Sequence, residues 1–285
     1  MVTGNTSFDY ATFKELSNLL HVTKKIHVIG DLKGTKGIGD GIKRRVQEIL
    51  KEGNLKELSS VSPDLEGMNA LQNIHGVGPK LLRDLYHRDI RSIETLRSST
   101  DVTLSIVTRI ALRYHDSMNQ RIPRALIDDV YRYLRDEIPV EFDICGSYRR
   151  GAETSGDIDI LVKSDDALRS LAPLIQSLTD KEFLVATLSS GTNSYQGICR
   201  FRDRYCRIDF LLTKEDEYAA ALLHFTGSGL FNQIIRFHAN KQGYKLSNLG
   251  LFCRDTMKKL HGLDTEKAIF DKLNVEYLEP HERNL

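Results

Sequence analysis

Three aspartates lie in segments whose polarity alternates as it does in β-strands. Asp157 and Asp159 alternate with apolar neighbours, and Asp209 does the same further along the chain. Because successive side chains of a strand point to opposite faces, the first two carboxylates would share a face. Neighbouring carboxylates repel each other unless a cation lies between them, and oxygen ligands suit Mg²⁺. We therefore predict a site for two Mg²⁺ ions, with Mn²⁺ able to substitute, that serves in-line phosphoryl transfer.

A glycine- and arginine-rich segment, 145–156, leads directly into the first pair of aspartates. Gly146 and Ser147 offer a backbone amide and a hydroxyl where a phosphate chain can approach closely, and Arg149 and Arg150 supply charge-assisted donors. An Asp-x-Asp pair taken alone is as well explained by a solvated sheet face. Its convergence with a Gly-Ser turn and two arginines favours nucleotidyl transfer.

Two glycine hairpins repeat a single plan in the first third of the chain. Each consists of a Gly-apolar-Gly turn followed by a helix start, with Gly37 and Gly39 in the first copy and Gly76 and Gly78 in the second. Such a turn exposes backbone N–H groups to a DNA phosphate without reading a base. One copy is explained equally well as a helix cap, whereas two copies with basic neighbours favour sequence-independent binding of duplex DNA. The lysines concerned are Lys24, Lys25, Lys33, Lys36, Lys43 and Lys80.

The composition is that of an ordinary globular protein. Its 285 residues, 40% of them hydrophobic and 28% charged, suffice for two or more packed units. The net charge of +1 gives no hint of a polyanionic partner, so only local clustering argues for DNA. The four cysteines form no Cys-x-x-Cys pair, which argues for free thiols. Neither a membrane span nor a secretory signal is recognisable, so we expect an intracellular protein without membrane contact.

Periodicity divides the chain into helical and alternating parts. Helical spacing of apolar residues dominates the first third, alternation begins after Pro139, and helical spacing returns from Glu217. We expect strands at 140–144, 157–162 and 207–212 and a helix at 167–178.

These parts predict an α+β multidomain protein with a mixed or antiparallel sheet in its catalytic domain. The polar stretch before Pro63 and the Ile122-Pro123 step mark two boundaries. The four expected domains are a helical one at 1–60 with the first hairpin, a helical one at 61–117 with the second, a catalytic one at 118–213, and a small C-terminal α/β domain at 214–285.

Together, these motifs resemble the family X DNA polymerases of the DNA polymerase beta type. The resemblance extends over nearly the whole chain. Beyond the hairpins, the matching segments are 121–124, 145–151, 156–159, 207–209, 224–228, 231–236 and 269–280. It implies a nucleotidyltransferase palm flanked by helix-hairpin-helix domains, the first of them lyase-like and binding a 5′-phosphate. It also implies a C-terminal domain that binds the nascent base pair, and a monovalent cation at the hairpins.

The function that the resemblance implies is template-directed DNA synthesis in base excision repair. The enzyme would fill gapped or primed duplex DNA from dNTPs, as a monomer, and in the nucleus if its source is a cellular eukaryote. Its repair-protein partners are left open.

The resemblance also assigns roles to single residues. Asp157 and Asp159 would bind both metals, while Asp209 would bind the catalytic metal and help to deprotonate the primer 3′-hydroxyl. Arg236 would contact the template strand. The residues that would hold the nucleotide are Gly146, Ser147, Arg149, Arg150, Gly156, His224, Phe225, Gly227 and Asn232.

Two positions depart from the family pattern. His224 stands where many relatives have tyrosine, which leaves discrimination against ribonucleotides open. Arg45 stands where relatives with 5′-deoxyribose phosphate lyase activity have the lysine that forms a Schiff base. Arginine stays protonated and is no amine nucleophile. We therefore expect weak or absent lyase activity.

Two other functions compete with templated synthesis. A template-independent terminal nucleotidyltransferase would share the metal site, but Asn232, Arg236 and the second hairpin make sense around a template–primer duplex. A DNA-end-binding scaffold without catalysis would not need the intact aspartates, Ser147 and Arg150.

Overall fold

The computed structural model describes residues 28–32, 39–53, 63–164 and 168–284. It divides into two compact units, 1–69 and 70–285, each of which is described by itself. The division into four domains that the sequence predicts stays a prediction. Five residues assigned to DNA binding lie outside the described residues: Lys24, Lys25, Lys33, Lys36 and Gly37.

The described part of the first unit is helical. A short 3₁₀ helix, Ile29–Leu32, precedes α1, Asp40–Glu52. Helix α1 begins after Gly39 and ends at Gly53, as the glycine pattern predicted. Lys43 lies on its exposed first turn, where its ammonium pairs with Asp40 at 3.2 Å.

Helix α2, Pro63–Gln72, leads into the helical part of the second unit. It is followed by α3, Pro79–His87, α4, Ile93–Ser98, and α5, Ile106–Met118. Gly78 is the N-cap of α3, and Pro79 follows it at the first helical position, as predicted. The second hairpin is anchored from inside by apolar side chains that are almost fully buried, namely Leu71, Ile74, Val77 and Leu85.

A five-stranded mixed sheet forms the centre of the second unit. Its strands are β2 (Phe142–Ile144), β4 (Ile158–Lys163), β5 (Leu184–Ser190), β6 (Ser194–Phe201) and β7 (Arg204–Thr213), in the order β2-β4-β7-β6-β5. Strands β4 and β7 run parallel, and the other neighbours are antiparallel. A separate two-stranded ladder pairs β1, Ile122–Pro123, with β3, Thr154–Ser155.

Two helices cover one face of this sheet. Helices α6, Arg124–Glu137, and α8, Ala172–Asp180, share a buried apolar cluster with Ile158, Ile160 and Phe210. Because side chains alternate along a strand, this packing leaves the polar residues between them on the opposite face. The predicted mixed sheet is confirmed, and so is the burial of the apolar residues beside the aspartates.

The C-terminal part carries five helical segments and a hairpin. The four-residue helix α7, Gly146–Arg149, lies between β2 and β3. The elements that follow the sheet are a 3₁₀ turn (Glu215–Glu217), α9 (Tyr218–Thr226), α10 (Gly229–Lys241), β8 (Tyr244–Ser247), β9 (Gly250–Cys253), α11 (Glu266–Lys272) and a 3₁₀ helix (Pro280–Arg283). Helices α9 and α10 are separated at Gly227 and Ser228, whose peptide bond is cis, and the Ser228 hydroxyl caps α10 by accepting from the Phe231 amide at 3.3 Å.

Some expected elements differ from the structure. The strand expected at 140–144 is limited to β2, and the helix expected at 167–178 covers α8 instead. Strands β5 and β6 were not predicted. Strand β5 lies at the sheet edge, is rich in serine and pairs with β6 through two register shifts, so its pattern has no regular alternation. Among the described helices, none is long and apolar enough to cross a membrane.

We predict that Gly76→Ala destabilises the second unit. The backbone of Gly76 is left-handed at φ +89, and an added Cβ would lie 2.4 Å from Thr108 Oγ1. The backbone penalty alone is about 1 to 2 kcal/mol. Chemical denaturation measures the change, and Gly78→Ala is the matched control because its Cβ would meet nothing within 4 Å. Equal losses in the two variants would contradict the prediction.

Candidate active site

The three predicted aspartates converge on the face of the sheet opposite to α6 and α8. Strands β4 and β7 pair in a register that sets Asp159 directly beside Asp209, and Asp157 comes immediately before β4. Each aspartate offers a carboxylate oxygen within 4.8 Å of the others. The convergence expected from the two sequence segments is therefore confirmed.

The surroundings of these carboxylates fit a divalent cation. Asp209 is only 7% exposed. Its Oδ2 accepts a hydrogen bond from Gln196 Nε2 at 3.1 Å, whereas Oδ1 is buried and has no hydrogen-bond partner among the described residues. A buried acceptor without a partner is costly, and a hard cation bound by oxygen ligands would satisfy it. Asp157, Asp159 and Asp209 are therefore the residues that would hold the metal.

Glycine is required where the predicted phosphate-binding turn, residues 146–150, meets the aspartates. Gly146 has a left-handed backbone, at φ +55, and a Cβ there would lie 2.0 Å from Asp159 Oδ2. The amide of the preceding residue, Cys145, donates to the Asp159 carbonyl at 2.8 Å. The turn and β4 are therefore locked together through their backbones.

Burial and mutual repulsion shift the acidities of this cluster. Burial is the main cause that raises the pKa of Asp159 to about 8, and the charges of Asp157 and Asp209 add to it. The guanidinium groups of Arg207 and Arg150 oppose the shift. Burial likewise raises the pKa of Asp209 to about 6, against the opposing charge of Arg207. Without a cation, Asp159 thus holds a proton near neutral pH.

The sequence did not lead us to predict two residues of this site, Arg207 and Gln196. Arg207 pairs with Asp157, and its Nη2 lies 3.6 Å from Asp209 Oδ2. Arg207 could have been predicted from the sequence, because it precedes Asp209 by two residues in a strand and therefore lies on the same face as Asp209. Gln196 had no such signal, because its strand, β6, was not predicted.

The Gly-Ser turn is the short helix α7, which is braced from the side by α6. The Arg124 guanidinium stacks on the Tyr148 ring at 4.0 Å and donates to the Tyr148 carbonyl at 2.7 Å. The Tyr148 hydroxyl donates to Asp128 Oδ1 at 2.6 Å. Ser147 lies half-buried within the helix. The turn is thus presented by a fixed scaffold.

A second part of the candidate site lies at the β1–β3 ladder and next to it. A Cβ on Gly156 would lie 3.4 Å from the guanidinium of Arg121, whose Nη2 donates to the Thr154 carbonyl at 2.5 Å. The Ser155 hydroxyl is buried and has no partner in the part of the chain that the structure describes. A cation and an unused hydroxyl next to Gly156 suit a phosphate ligand.

The two arginines of the turn reach the C-terminal helices. Arg149 pairs with Glu266 at 2.8 Å, and Arg150 Nη1 donates to the Thr226 carbonyl at 2.6 Å. Burial lowers the pKa of Arg150. Burial is also the largest single influence on Arg149 and opposes its charge, but the hydrogen bonds and the charge of Glu266, with the charges of Cys145 and Asp143, together outweigh burial and raise the pKa of Arg149. A Cβ on Gly227 would lie 3.2 Å from Arg150 Nη1, so the turn touches the break between α9 and α10.

The residues assigned to the nascent base pair form a second cluster. Asn232 and Arg236 share a face of α10, as their spacing predicted, and both contact His224 at the end of α9. Arg236 Nη2 lies 3.0 Å from His224 Nδ1, and Asn232 Nδ2 donates to the His224 carbonyl at 2.7 Å. Burial, and secondly the charge of Arg236, lower the pKa of His224. Phe225 packs beside Cys145 and Leu161 under the phosphate-binding turn.

The second hairpin offers its polar groups to solvent. Gly76, Gly78 and Lys80 are all exposed. The first amides of α3 have no partner within the helix and carry the positive end of its dipole. The roles of these residues in DNA binding stay a prediction.

Models of three domain families match consecutive parts of the chain. They describe the fingers domain of DNA polymerase lambda at 69–119, the DNA polymerase beta palm at 121–215 and the DNA polymerase beta thumb at 221–284. The palm match contains the three aspartates and the phosphate-binding turn. Fold and site thus define a palm of the nucleotidyltransferase class.

Proteins of similar sequence show to which family within the nucleotidyltransferase class the chain belongs. The chain is 30% identical to DNA polymerase lambda of Arabidopsis thaliana over 98% of its length, and 31% identical to DNA polymerase lambda of Rattus norvegicus over 87%. It is 24% identical to a DNA nucleotidylexotransferase of Oncorhynchus mykiss over 95%. The chain belongs to the family X DNA polymerases. It spans 58%, 47% and 64% of these three relatives, respectively.

We predict that Asp159→Asn stabilises the metal-free protein, and does so more as the pH rises. The folded-state pKa of Asp159 is about 8, whereas an unfolded aspartate titrates at about 3.9. Raising the pH through that window costs folding stability in the wild type, and an amide avoids the cost.

Thermal melting in a chelator at pH 5 and pH 8 measures the difference. The control is Asp203→Asn, an exposed aspartate in the β6–β7 turn. A stabilisation by Asp159→Asn that is no larger at pH 8 than at pH 5 would contradict the assigned acidity.

Proposed function

We propose that this chain is a template-directed DNA polymerase of the repair type, which fills short gaps by adding dNTPs to a primer 3′-hydroxyl. The observation that carries the proposal is the cluster of three carboxylates beside the Gly146 turn, in a chain of this family. Because the chain spans about half of its polymerase lambda relatives, the activity of the whole protein is part of the proposal.

The chemistry follows from where the carboxylates lie. Asp157 and Asp159 would hold two Mg²⁺ ions, and Asp209 would share the one at the primer end. Bound Mg²⁺ supplies charge neutralisation at the transferring phosphoryl group and acidifies the attacking hydroxyl. The primer 3′-oxygen forms a bond to the α-phosphorus as the bond to the leaving pyrophosphate breaks. Asp209, with a buried oxygen that lacks a partner among the described residues, would help to take the hydroxyl proton.

The incoming triphosphate would lie along the phosphate-binding turn. Gly146, Ser147 and Arg150 would hold it from α7, while Gly156 and Arg121 would hold it from the β3 side. The buried Ser155 hydroxyl supports this path, since no partner is found for it in the described ranges. Phe225 and Gly227 would pack on the sugar, with His224 next to them.

Templating would come from the first two turns of α10, where Asn232 and Arg236 are half-buried. Asn232 would contact the base of the incoming nucleotide in the minor groove, and Arg236 would contact the template strand. Acceptors in that groove occupy similar positions in every correct pair, so such contacts test pair shape. In the structure both side chains contact His224, so they would have to change partners when a base pair enters.

Duplex DNA would be held by the hairpins. Gly76, Gly78 and Lys80 in the second hairpin would hold one phosphate, and Gly39 and Lys43 belong to the first. A monovalent cation at the hairpins, action as a monomer, and a nuclear location in a cellular eukaryote complete the proposal.

We predict that the wild type extends a primer across a one-nucleotide gap only with the dNTP that pairs with the template. Asp209→Asn should abolish extension, because it removes a metal ligand, while leaving the Kd for gapped DNA within about twofold. Gel-based extension with each dNTP offered singly, in Mg²⁺ and in Mn²⁺, makes the measurement. The exposed Asp203→Asn serves again as the control.

The outcomes of this assay separate the competing functions. Addition of any nucleotide regardless of template would replace the proposal by terminal transfer, the activity that the name of the Oncorhynchus relative denotes. If no nucleotide is added in either Mg²⁺ or Mn²⁺, the remaining function is that of a DNA-end-binding scaffold without catalysis.

We also predict weak or absent 5′-deoxyribose phosphate lyase activity. Arg45 on α1 stands at the position of the expected Schiff-base lysine and cannot attack an aldehyde. Borohydride trapping on incised abasic DNA should give little covalent adduct, and Arg45→Lys should increase it. A strong adduct with the wild type would refute the assignment.

A further inference from the structure

We propose that Gln196 is a positioning residue for Asp209, the aspartate that would bind the metal at the primer end. Gln196 holds one carboxylate oxygen of Asp209, so that the other oxygen is left for the metal and for the proton of the primer hydroxyl. The inference rests on the proposed polymerase function and deepens it. It assigns a role to a residue of β6, a strand that carries none of the site residues predicted from the sequence.

The register of the sheet brings the two side chains together. Gln196 on β6 lies directly opposite Asp209 on β7 in an antiparallel pair. Opposed residues project from the same face of a sheet, and their Cβ atoms are about 4.5 to 5.5 Å apart. The Gln196 amide spans this gap, since its Nε2 donates to Asp209 Oδ2 at 3.1 Å. Strand pairing thus determines the contact, and no loop takes part in it.

The neighbours of Gln196 along β6 fix its backbone. Tyr195 is almost fully buried, and its hydroxyl donates to the Ala186 carbonyl of β5 at 3.3 Å. Gly197 leaves room for the Tyr195 ring, because a Cβ on Gly197 would lie 2.6 Å from Tyr195 Cε1. Strand β6 is also paired on both sides, with β5 and with β7. Gln196 therefore donates from a fixed point of the sheet.

The carboxylate of Asp209 depends on this hydrogen bond for its orientation. Strand pairing fixes the backbone of Asp209, but the outer side-chain torsion of an aspartate is broad and roughly twofold. Arg207 Nη2 lies 3.6 Å from Asp209 Oδ2, which is too long for a hydrogen bond, and Arg207 pairs with Asp157. Within the described ranges, Gln196 is thus the one hydrogen-bond donor to this carboxylate.

The second oxygen of Asp209 is the one that this arrangement leaves for chemistry. Oδ1 is buried and has no hydrogen-bond partner among the described residues. A residue that orients a metal ligand through a hydrogen bond acts on the metal without touching it, and its loss typically costs about ten- to a hundredfold in metal affinity or activity. Because Asp209 would bind only the metal at the primer end, loss of Gln196 weakens that metal and spares the other.

Gln196→Met tests the proposal, because methionine is similar in length to glutamine but has no N–H donor. Paramagnetic resonance measures Mn²⁺ binding to the protein alone and to its complex with dideoxy-terminated gapped DNA and the matching dNTP, which needs no turnover. One Mn²⁺ of the complex should bind about ten- to a hundredfold more weakly, and single-turnover extension should slow to a similar degree. The Kd for gapped DNA should stay within about twofold of the wild type.

Two further variants separate the hydrogen bond from packing. Gln196→His keeps a ring N–H donor and should retain most of the Mn²⁺ affinity. Gln196→Asn stays polar but is one methylene shorter, so it should bind Mn²⁺ as weakly as Gln196→Met and serves where the methionine variant does not fold. The matched control is Gln176→Met on α8. It removes a bond of the same kind, from Gln176 Nε2 to Asp180 Oδ1 at 2.7 Å, and should leave Mn²⁺ binding and extension unchanged.

Three results would overturn the proposal. One is wild-type Mn²⁺ affinity in Gln196→Met and Gln196→Asn. Another is an equal loss in all three Gln196 variants, since packing and not the hydrogen bond would then be responsible. The third is a loss limited to the Kd for gapped DNA, since Gln196 would then touch the primer itself. Failure of the polymerase proposal is a separate result, namely a wild type that binds Mn²⁺ more tightly than Gln196→Met but extends no primer.

Discussion

Repulsion between three carboxylates is the constraint around which the second unit is arranged. The parallel pairing of β4 and β7 sets Asp159 beside Asp209 and leaves neither free to move away. Burial makes their ionisation still more costly, which raises both pKa values. The fold tolerates this cost because the other face of the same strands is a large apolar core under two helices. Stability resides on one face of the sheet, and the strained charges lie on the other.

The charges that offset this repulsion come from different parts of the chain. Arg207 pairs with Asp157 along the strand itself, and the field of Arg150 reaches the aspartates from α7. The same α7 segment is tied to the C-terminal helices through Glu266. The acidic cluster, the phosphate-binding turn and α11 therefore form a connected set of contacts, and a change in one is expected to be felt in the others.

His224, at the end of α9, links that helix to α10 through hydrogen bonds with Asn232 and Arg236. Its Nδ1 faces two N–H donors, from Arg236 and Asn232, so this nitrogen must accept and the ring is neutral. Its lowered pKa agrees with that assignment. A tyrosine in this position has no ring nitrogen to accept these bonds. The contacts of Asn232 and Arg236 to Nδ1 are therefore specific to the histidine in this chain.

The amino-acid sequence was sufficient to predict which residues lie at the candidate site. Strand alternation placed the aspartates on one face, and helical spacing placed Asn232 and Arg236 on another, because both periodicities are local properties of the backbone. Strand β5 was missed because an irregular edge strand carries little alternation. Strand β6, which carries Gln196, was missed as well.

Only the tertiary structure decided which groups those residues meet. The pairing of Arg149 with Glu266 joins positions 117 residues apart, and that of Arg236 with His224 joins two separate helices. No periodicity encodes such contacts, since they depend on how whole elements pack. The sequence thus fixes what each side chain is able to do, and packing selects the partner with which it does so.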